Sequence, residues 1–347
     1  MSAHLKAYIA ILAGGVGARF WPASTPERPK QLLPLASAVP LIDETLDRAV
    51  ELVGSDRVRV VTSDGFAELM RASLERHGVE ALLEPAARGT GPALAWAAHV
   101  LESESPAATM ISMHADHRIT PLAGLRDTLV EAVRVAESGH LCCIGVRPDR
   151  PETGYGYVRI GQPLGGRSYR VRRFVEKPDE ETARRYQASG EYLWNTGIFV
   201  WRSSDLLEAV HRHAPEIAGA LPRLEVGDVP GFFDAVEPIA IDVAVMERAE
   251  RVATVEARFA WDDLGVWDAV ARSRGTDAED NAVVGAARTL DARRNIVWTE
   301  SVRANLIGVE DLLVVEANGE LLVMPRGNTP RLKELVREIQ DRGEPTA

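Results

Sequence analysis

Short, continuously apolar runs alternate with amphipathic stretches along the first half of the chain. Tyr8–Leu12, Arg57–Thr62, Val79–Glu84, Ala108–Met113 and Leu141–Val146 read as strands. Leu41–Val53, Phe66–His77 and a segment from about Thr90 to Glu102 read as helices, with Gly78 closing the second. Within Gly124–Ser138, Leu125, Leu129, Val130 and Val133 recur at helical spacing and mark one apolar face. A strand that is apolar throughout, rather than at alternate positions, is covered on both faces. The pattern therefore predicts a mainly parallel sheet with helices on either side.

The pattern changes after Pro148. Tyr157–Ile160 and Tyr169–Phe174 flank Gly165-Gly166 and predict a hairpin, expected to lie as an insertion over the sheet. Helices near Glu180–Ser189, Asp205–His213 and Ile241–Glu250, with a strand at Gly197–Trp201, carry the α/β pattern to about Ser273. From Asp280 onward short β-type runs are broken by Gly, Asn and Asp, and a helix is expected at Arg331–Arg342. Two domains are expected, an α/β domain over residues 1–275 and a small β-rich domain over 280–347. Strands such as Ala282–Val284 and Asn295–Trp298 could stack there as coils of a minimal β-solenoid.

Composition narrows the function. With 46% hydrophobic and 26% charged residues in 347, the chain can bury a large core. Its apolar runs reach only about seven residues, against the ~20 that a spanning helix needs, so no membrane span is expected. Ala7–Ala13 leads into Gly14-Gly15 instead of a leader cleavage site, which points to the cytoplasm. A net charge of −11 argues against nucleic acid or an anionic membrane as partner. Cys142 and Cys143 lie together in an apolar run and read as small buried hydrophobes, not as a disulfide or zinc framework. Trp194, Trp201, Trp261 and Trp267 read mostly as core.

One segment departs from this acidic background. Between Gly14 and Gln31, Arg19, Arg28 and Lys30 face the single acid Glu27. Leu12, Ala13, Gly14, Gly15 and Gly17 follow the first strand, where glycines let backbone N–H groups approach phosphate oxygens. No Gly-Lys-Ser/Thr follows, and Arg19 stands where a dinucleotide fingerprint needs its last glycine, so neither a P-loop nor a nicotinamide dehydrogenase fits. A guanidinium and an ammonium eleven residues apart suit a triphosphate. Asp116 stands just after a predicted strand, at the carboxyl edge where open α/β sheets bind ligands.

With these residues in place, the chain resembles the sugar nucleotidylyltransferases, and among them the mannose-1-phosphate guanylyltransferases. The loop is joined in order by Glu84-Pro85, Arg88-Gly-Thr-Gly-Pro92, Ala115-Asp116-His117, Glu152-Thr-Gly-Tyr-Gly156, Phe174-Val-Glu-Lys-Pro178, Trp194-Asn-Thr-Gly-Ile-Phe199 and Trp261-Asp-Asp-Leu-Gly265. The resemblance covers essentially the whole chain. It implies a Rossmann-like nucleotidyltransferase domain followed by a smaller β domain, Mg2+, and transfer of GMP from GTP to mannose 1-phosphate, giving GDP-mannose and pyrophosphate. By the same resemblance Arg19 and Lys30 are catalytic, and Leu12, Ala13, Gly14, Gly15, Gly17, Arg88 and Thr90 hold nucleotide. Asp116 and Asp263 hold metal, with His114 and His117 supporting or structural; Gly154, Glu176, Lys177 and Asn195 hold the sugar phosphate. Asp262 occupies a position that is often small and polar in the family.

Chemistry adds Glu84. Guanine presents N1–H and N2–H side by side, and one ionised carboxylate accepts both. Glu84 could instead cap the turn at Pro85 or pair with Arg88. Other sugar 1-phosphates, such as glucose or a heptose, stay open, as do a catalytically silent sugar-nucleotide sensor and a homodimer. Longer family members carry a fused phosphomannose isomerase, for which 347 residues leave no room, so a single activity is expected. Glu316-Ala-Asn-Gly-Glu320 and Thr329-Pro330 depart from the family pattern and leave the role of the C-terminal segment open.

Overall fold

The computed structural model describes residues 4–342. Its strands are β1 (Tyr8–Leu12), β2 (Val58–Thr62), β3 (Glu80–Leu83), β4 (Thr109–His114), β5 (Arg118–Thr120), β6 (Leu141–Val146), β7 (Tyr157–Gly165), β8 (Ser168–Val175), β9 (Tyr192–Arg202), β10 (Val252–Glu256), β11 (Ala260–Asp262), β12 (Ala282–Leu290), β13 (Ile296–Ile307), β14 (Leu312–Ala317) and β15 (Glu320–Pro325). Nine of them form one sheet in the order β3-β2-β1-β4-β9-β6-β10-β8-β7, and β5 pairs with β11 in a short ribbon. Every strand of the nine except β8 and β9 runs in one direction, so the sheet is mainly parallel as the apolar runs predict. The carboxyl ends of β1, β2, β3 and β4 therefore lie along one edge.

The apolar runs are explained by cover on both faces. Cys142 and Cys143 are both fully buried on β6, and successive residues of a strand point to opposite faces. Cys143 joins the cluster that contains Trp96 of helix Thr90–Glu104, with Phe199, Trp201 and Phe233. Cys142 lies on the side that carries Glu131 of helix Leu122–Glu137. Burial pushes the Cys143 thiol up to about 12, so it packs as a hydrophobe and is a poor source of thiolate.

Three local readings need correction. The β7–β8 hairpin does not lie over the sheet; it extends the sheet's edge, β8 pairing with β10 and β7 also with β9. An open edge on β10 supplies the backbone partners, which a side-chain pattern cannot show. The helix expected over Phe66–His77 breaks at Met70, whose φ of −95° and ψ of 1° separate Asp64–Leu69 from Arg71–His77. In place of a helix over Ile241–Glu250 there is a π-helical turn at Asp242–Met246. No helix among the described residues is long and apolar enough to cross a membrane.

By packing, the chain divides into two compact units. Among the described residues, the first holds those up to Gly14, Leu46–Ala115 and Ile119–Trp261, including the whole nine-stranded sheet; the second holds Gly15–Thr45, Asp116–Arg118 and those from Asp262 onward. The 1–275 segment thus contributes to both units. In the second unit Phe20, Trp21, Leu33 and Leu35 share a core with Trp267, Trp298, Val315 and Leu332. Ring contacts of Trp267 with Phe20 at 5.1 Å and with Trp298 at 5.5 Å tie the segment after the glycine loop to the β-rich part.

The β-rich part has coil-like stacking. β12, β13 and β14 are parallel neighbours, and Ala282, Ile296 and Leu313 stand in register with only short loops between successive strands. β15 closes the sheet antiparallel to β14. Asn281 and Asn295 stack between the coils: Asn295 Nδ2 donates to Asn281 Oδ1 at 2.9 Å and to the Val309 carbonyl at 3.2 Å, and Asn295 Oδ1 accepts from Leu312 N at 3.0 Å. Asn295 is fully buried. Replacing it with Ala strands those partners, so Asn295→Ala should lower unfolding free energy by about 1–3 kcal/mol. Chemical denaturation followed by Trp fluorescence measures it, and an unchanged midpoint would show that the ladder contributes nothing.

Candidate active site

The second unit is organised around one buried ammonium. Lys30 is only 7% exposed, and its Nζ donates to Asp116 Oδ2 at 2.9 Å and to the Asp263 carbonyl at 3.0 Å, with the Phe20 ring centroid 5.5 Å away. The glycine loop wraps its stem. Lys30 N donates to the Val16 carbonyl at 3.0 Å, Gln31 Nε2 to that of Gly15 at 3.2 Å, and Ser24 Oγ to that of Gly17 at 2.7 Å. Gly17 has a φ of 80°, and a Cβ there would come within 2.5 Å of Lys30 Cβ. A side chain at residue 17 would expel the lysine, which gives this glycine a reason beyond phosphate approach. Arg19, on the 3-10 turn Ala18–Phe20, is exposed.

The two adjacent aspartates differ in their commitments. Asp262 Oδ2 accepts from both Nε and Nη2 of Arg272, at 3.1 and 2.8 Å. Asp263 Oδ1 accepts from Gly265 N at 3.0 Å, while its carbonyl meets Lys30. A carboxylate and a peptide oxygen thus converge on one positive point, the hard-oxygen donor set that Mg2+ prefers. Ligating atoms of His114, Asp116 and His117, within a stretch of four residues, also lie within 4.8 Å of one another. The residues present fit a divalent cation; imidazole nitrogens are the less suitable donors for a hard one.

In the first unit the loop leaves β1 beside Glu84. Ala13 N donates to the Val61 carbonyl at 3.0 Å, Thr62 Oγ1 to that of Ala13 at 2.6 Å, and Glu84 N to that of Thr62 at 2.8 Å. A Cβ on Gly14 would lie 3.8 Å from Glu84 Oε1, so this carboxylate rests against the glycine backbone. Burial raises its pKa above the ordinary value. Arg88 Nε donates to the Phe233 carbonyl at 2.8 Å, and Thr90 Oγ1 accepts from Ile241 N at 2.9 Å. Both residues brace the chain entering the π-helical turn.

A second polar cluster occupies the same unit. Lys177, with a φ of 46°, follows β8; its Nζ lies 2.5 Å from Glu176 Oε1 and its N donates to the Tyr155 carbonyl at 3.2 Å. Asn195 donates from Nδ2 to Asp242 Oδ1 at 2.7 Å and accepts at Oδ1 from Gly197 N at 3.1 Å. Gly154 N donates to Glu152 Oε1 at 3.1 Å. A Cβ on Gly156 would fall 2.5 Å from Glu176 Oε2 and 3.4 Å from Asn195 Cβ, so Glu176 and Asn195 approach each other across a glycine. Tyr155, 5.2 Å from Trp194 and 4.9 Å from Trp261, walls the cluster. Trp194, Trp201 and Trp267 are core residues, whereas Trp261 is half-buried.

Sequence reasoning missed Asp242 and the role of Gly156. Asp242 looked like the start of an ordinary helix, and only its bond to Asn195 sets it apart. Gly156 stood within a quoted motif, but the reason for it is the approach of Glu176, just past β8, and of Asn195 on β9.

A mainly parallel sheet with a glycine loop leaving the carboxyl end of its first strand defines a nucleotide-binding type of α/β protein. The chain belongs to the nucleotidyl transferase family, whose model matches residues 9–279. It is 32% identical over 363 residues to the mannose-1-phosphate guanylyltransferase of Escherichia coli (strain K12), covering 98% of this chain and 75% of that one. It is 34% identical over 349 residues to the xanthan biosynthesis protein XanB of Xanthomonas campestris pv. campestris (strain B100), covering 97% and 74%. A crystal structure of mannose-1-phosphate geranyltransferase from Thermus thermophilus superposes with a TM-score of 0.90 at 34% identity, over 97% of this chain and all of that one.

Loss of solvent, then the nearby Glu176 carboxylate, push the Asp242 carboxyl up to about 6. A raised folded-state pKa means the fold favours the protonated acid, so stability is lost as pH rises through that value. Asp242→Asn keeps an acceptor for Asn195 and removes the ionisation. The variant should gain on the wild type between pH 4 and pH 7, by up to ~3 kcal/mol. Thermal melts across that range test it; a difference that does not change with pH would contradict the assignment.

Proposed function

We propose that this chain transfers GMP from GTP to mannose 1-phosphate, releasing pyrophosphate and forming GDP-mannose. The observation that carries the reading is the buried Lys30 ammonium, which gathers Asp116 and the Asp263 peptide beneath a glycine loop that presents Arg19. The names borne by the relatives support the sugar and the base. The cytoplasm is the proposed compartment.

A phosphate oxygen of the sugar attacks the α-phosphorus of GTP; that P–O bond forms as the bond to the β-phosphate bridging oxygen breaks, and pyrophosphate leaves with the electron pair. The nucleophile is already ionised, so no general base is required, and alignment with charge neutralisation does most of the work. Mg2+ held by Asp116 and Asp263 would supply Lewis-acid stabilisation of phosphoryl charge. Arg19 and Lys30 offset charge on the triphosphate, and Leu12, Ala13, Gly14, Gly15 and Gly17 give it a close backbone. Lys177 exchanges its bond with Glu176 for the sugar phosphate, freeing Glu176, with Asn195 and Gly154, for sugar hydroxyls. Glu84 reads the guanine edge, and Arg88 and Thr90 hold the chain beneath the nucleotide.

Pyrophosphate release across a grid of nucleoside triphosphates and sugar 1-phosphates tests the reading. GTP with mannose 1-phosphate should be the preferred pair; preference for glucose or heptose 1-phosphate would overturn the sugar, and no turnover with any pair would favour a silent sensor. Asp263→Asn should lower kcat by about 10²-fold or more and weaken Mg2+ dependence, while Asp262→Asn, which weakens the pair with Arg272 and keeps an Oδ1 acceptor for Leu264 N, should be milder. A larger effect from Asp262→Asn would move the metal assignment by one residue. Glu84→Gln should cost about 1.5–3 kcal/mol of GTP recognition and let ATP or dTTP compete. An unchanged ratio of kcat/KM values among the three nucleotides would remove Glu84 from the base site.

A further inference from the structure

We propose that the helix Thr329–Asp341 adds two cations to the phosphate loop: Lys333 and Arg337, with Arg19, form a triad that binds the outer phosphates of a nucleoside triphosphate or the pyrophosphate released from it. The proposal rests on the reading of the glycine loop as a triphosphate site. All three residues belong to the second unit.

The helix is seated by its apolar stripe. Leu332 and Val336, one turn apart and buried, join the core that contains Phe20 and Trp21, and the helix packs directly on the turn Ala18–Phe20 that presents Arg19. Lys333 and Arg337 each follow one of these anchors by one residue, so they rise beside the stripe one turn apart. Both are exposed, as is Arg19. Two acids of the helix are engaged by neighbouring arginines: Glu334 pairs with Arg331 at 3.3 Å and Glu338 with Arg342, just past the helix end, at 3.5 Å.

Repulsion within the triad is visible at Lys333. The Arg19 guanidinium, then partial loss of solvent, then Arg337 lower its ammonium below the usual lysine range. Holding like charges together costs free energy that a bound anion of charge −3 or −4 would offset. A carboxylate or a single phosphate carries too little charge to bridge three cations, which points to a di- or triphosphate. The outer phosphates of GTP and free pyrophosphate share that chemistry, and both would meet the triad in one catalytic cycle.

Calorimetric titration of inorganic pyrophosphate into the full chain, with Mg2+ present, tests the triad directly. The double variant Lys333→Gln/Arg337→Gln should bind pyrophosphate about tenfold or more weakly and raise KM for GTP similarly, with KM for the sugar 1-phosphate unchanged and the melting temperature not lowered. Lys333→Arg keeps the charge and should bind as wild type does. Pyrophosphate binding that survives the double variant but is lost in Arg19→Ala would overturn the triad and leave the loop reading intact. No pyrophosphate or GTP binding by the wild type would overturn both. Orthophosphate binding as tightly as pyrophosphate, with the same losses, would reduce the triad to a generic anion patch and sink the proposal.

Discussion

The second unit depends on keeping a lysine charged out of water. Burying an ammonium costs several kcal/mol unless hydrogen bonds and opposite charge replace its hydration. Asp116 supplies the charge, the Asp263 carbonyl a second acceptor, and the Phe20 ring an electron-rich face. Each comes from a different part of the chain, so satisfying one ammonium brings the glycine-loop segment, the residues after β4 and the Trp-Asp-Asp-Leu-Gly motif together. The absence of a side chain at Gly17 is a condition of that closure, since a Cβ there would occupy the space of the lysine stem.

The first unit solves a different problem, that of holding carboxylates near one another without neutralising them all. Glu176 is paired with Lys177, whereas Asp242, withdrawn from solvent and close to the Glu176 carboxylate, holds its proton more tightly even though Asn195 donates to it. Close approach across Gly156 places these groups within reach of one another. Donors and acceptors in such a cluster are already aimed, so they lose little freedom when a partner is exchanged.

The β-rich part meets the same demand by repetition. Short parallel strands leave buried backbone groups at each turn, and the stacked Asn281 and Asn295 satisfy them. Glu316 on β14 serves the neighbouring strand: it accepts from Ser301 Oγ and from the backbone N of Ser301, Val302 and Glu300 in β13, and these bonds, the hydroxyl's first, hold its carboxyl down at about 2. Its departure from the family's usual sequence therefore has a local structural use.

Much of this was legible along the chain, because strands covered on both faces must be apolar throughout and helices must repeat their apolar face every three or four residues. The parallel sheet, the hairpin at Gly165-Gly166, the buried cysteines and the glycine loop are all local patterns of that kind. Residue chemistry also marked out Arg19 and Lys30, and the position after a strand marked out Asp116, whereas Glu176 and Lys177 came from the family resemblance. Tertiary structure alone decided which carboxylate meets which cation: that Asp262 is held by Arg272 while the Asp263 carbonyl meets Lys30, that Asp242 stands against Asn195, and that the β7–β8 hairpin extends an edge. Those outcomes depend on the packing of segments far apart in sequence, and spacing along a chain carries no record of distance across a core.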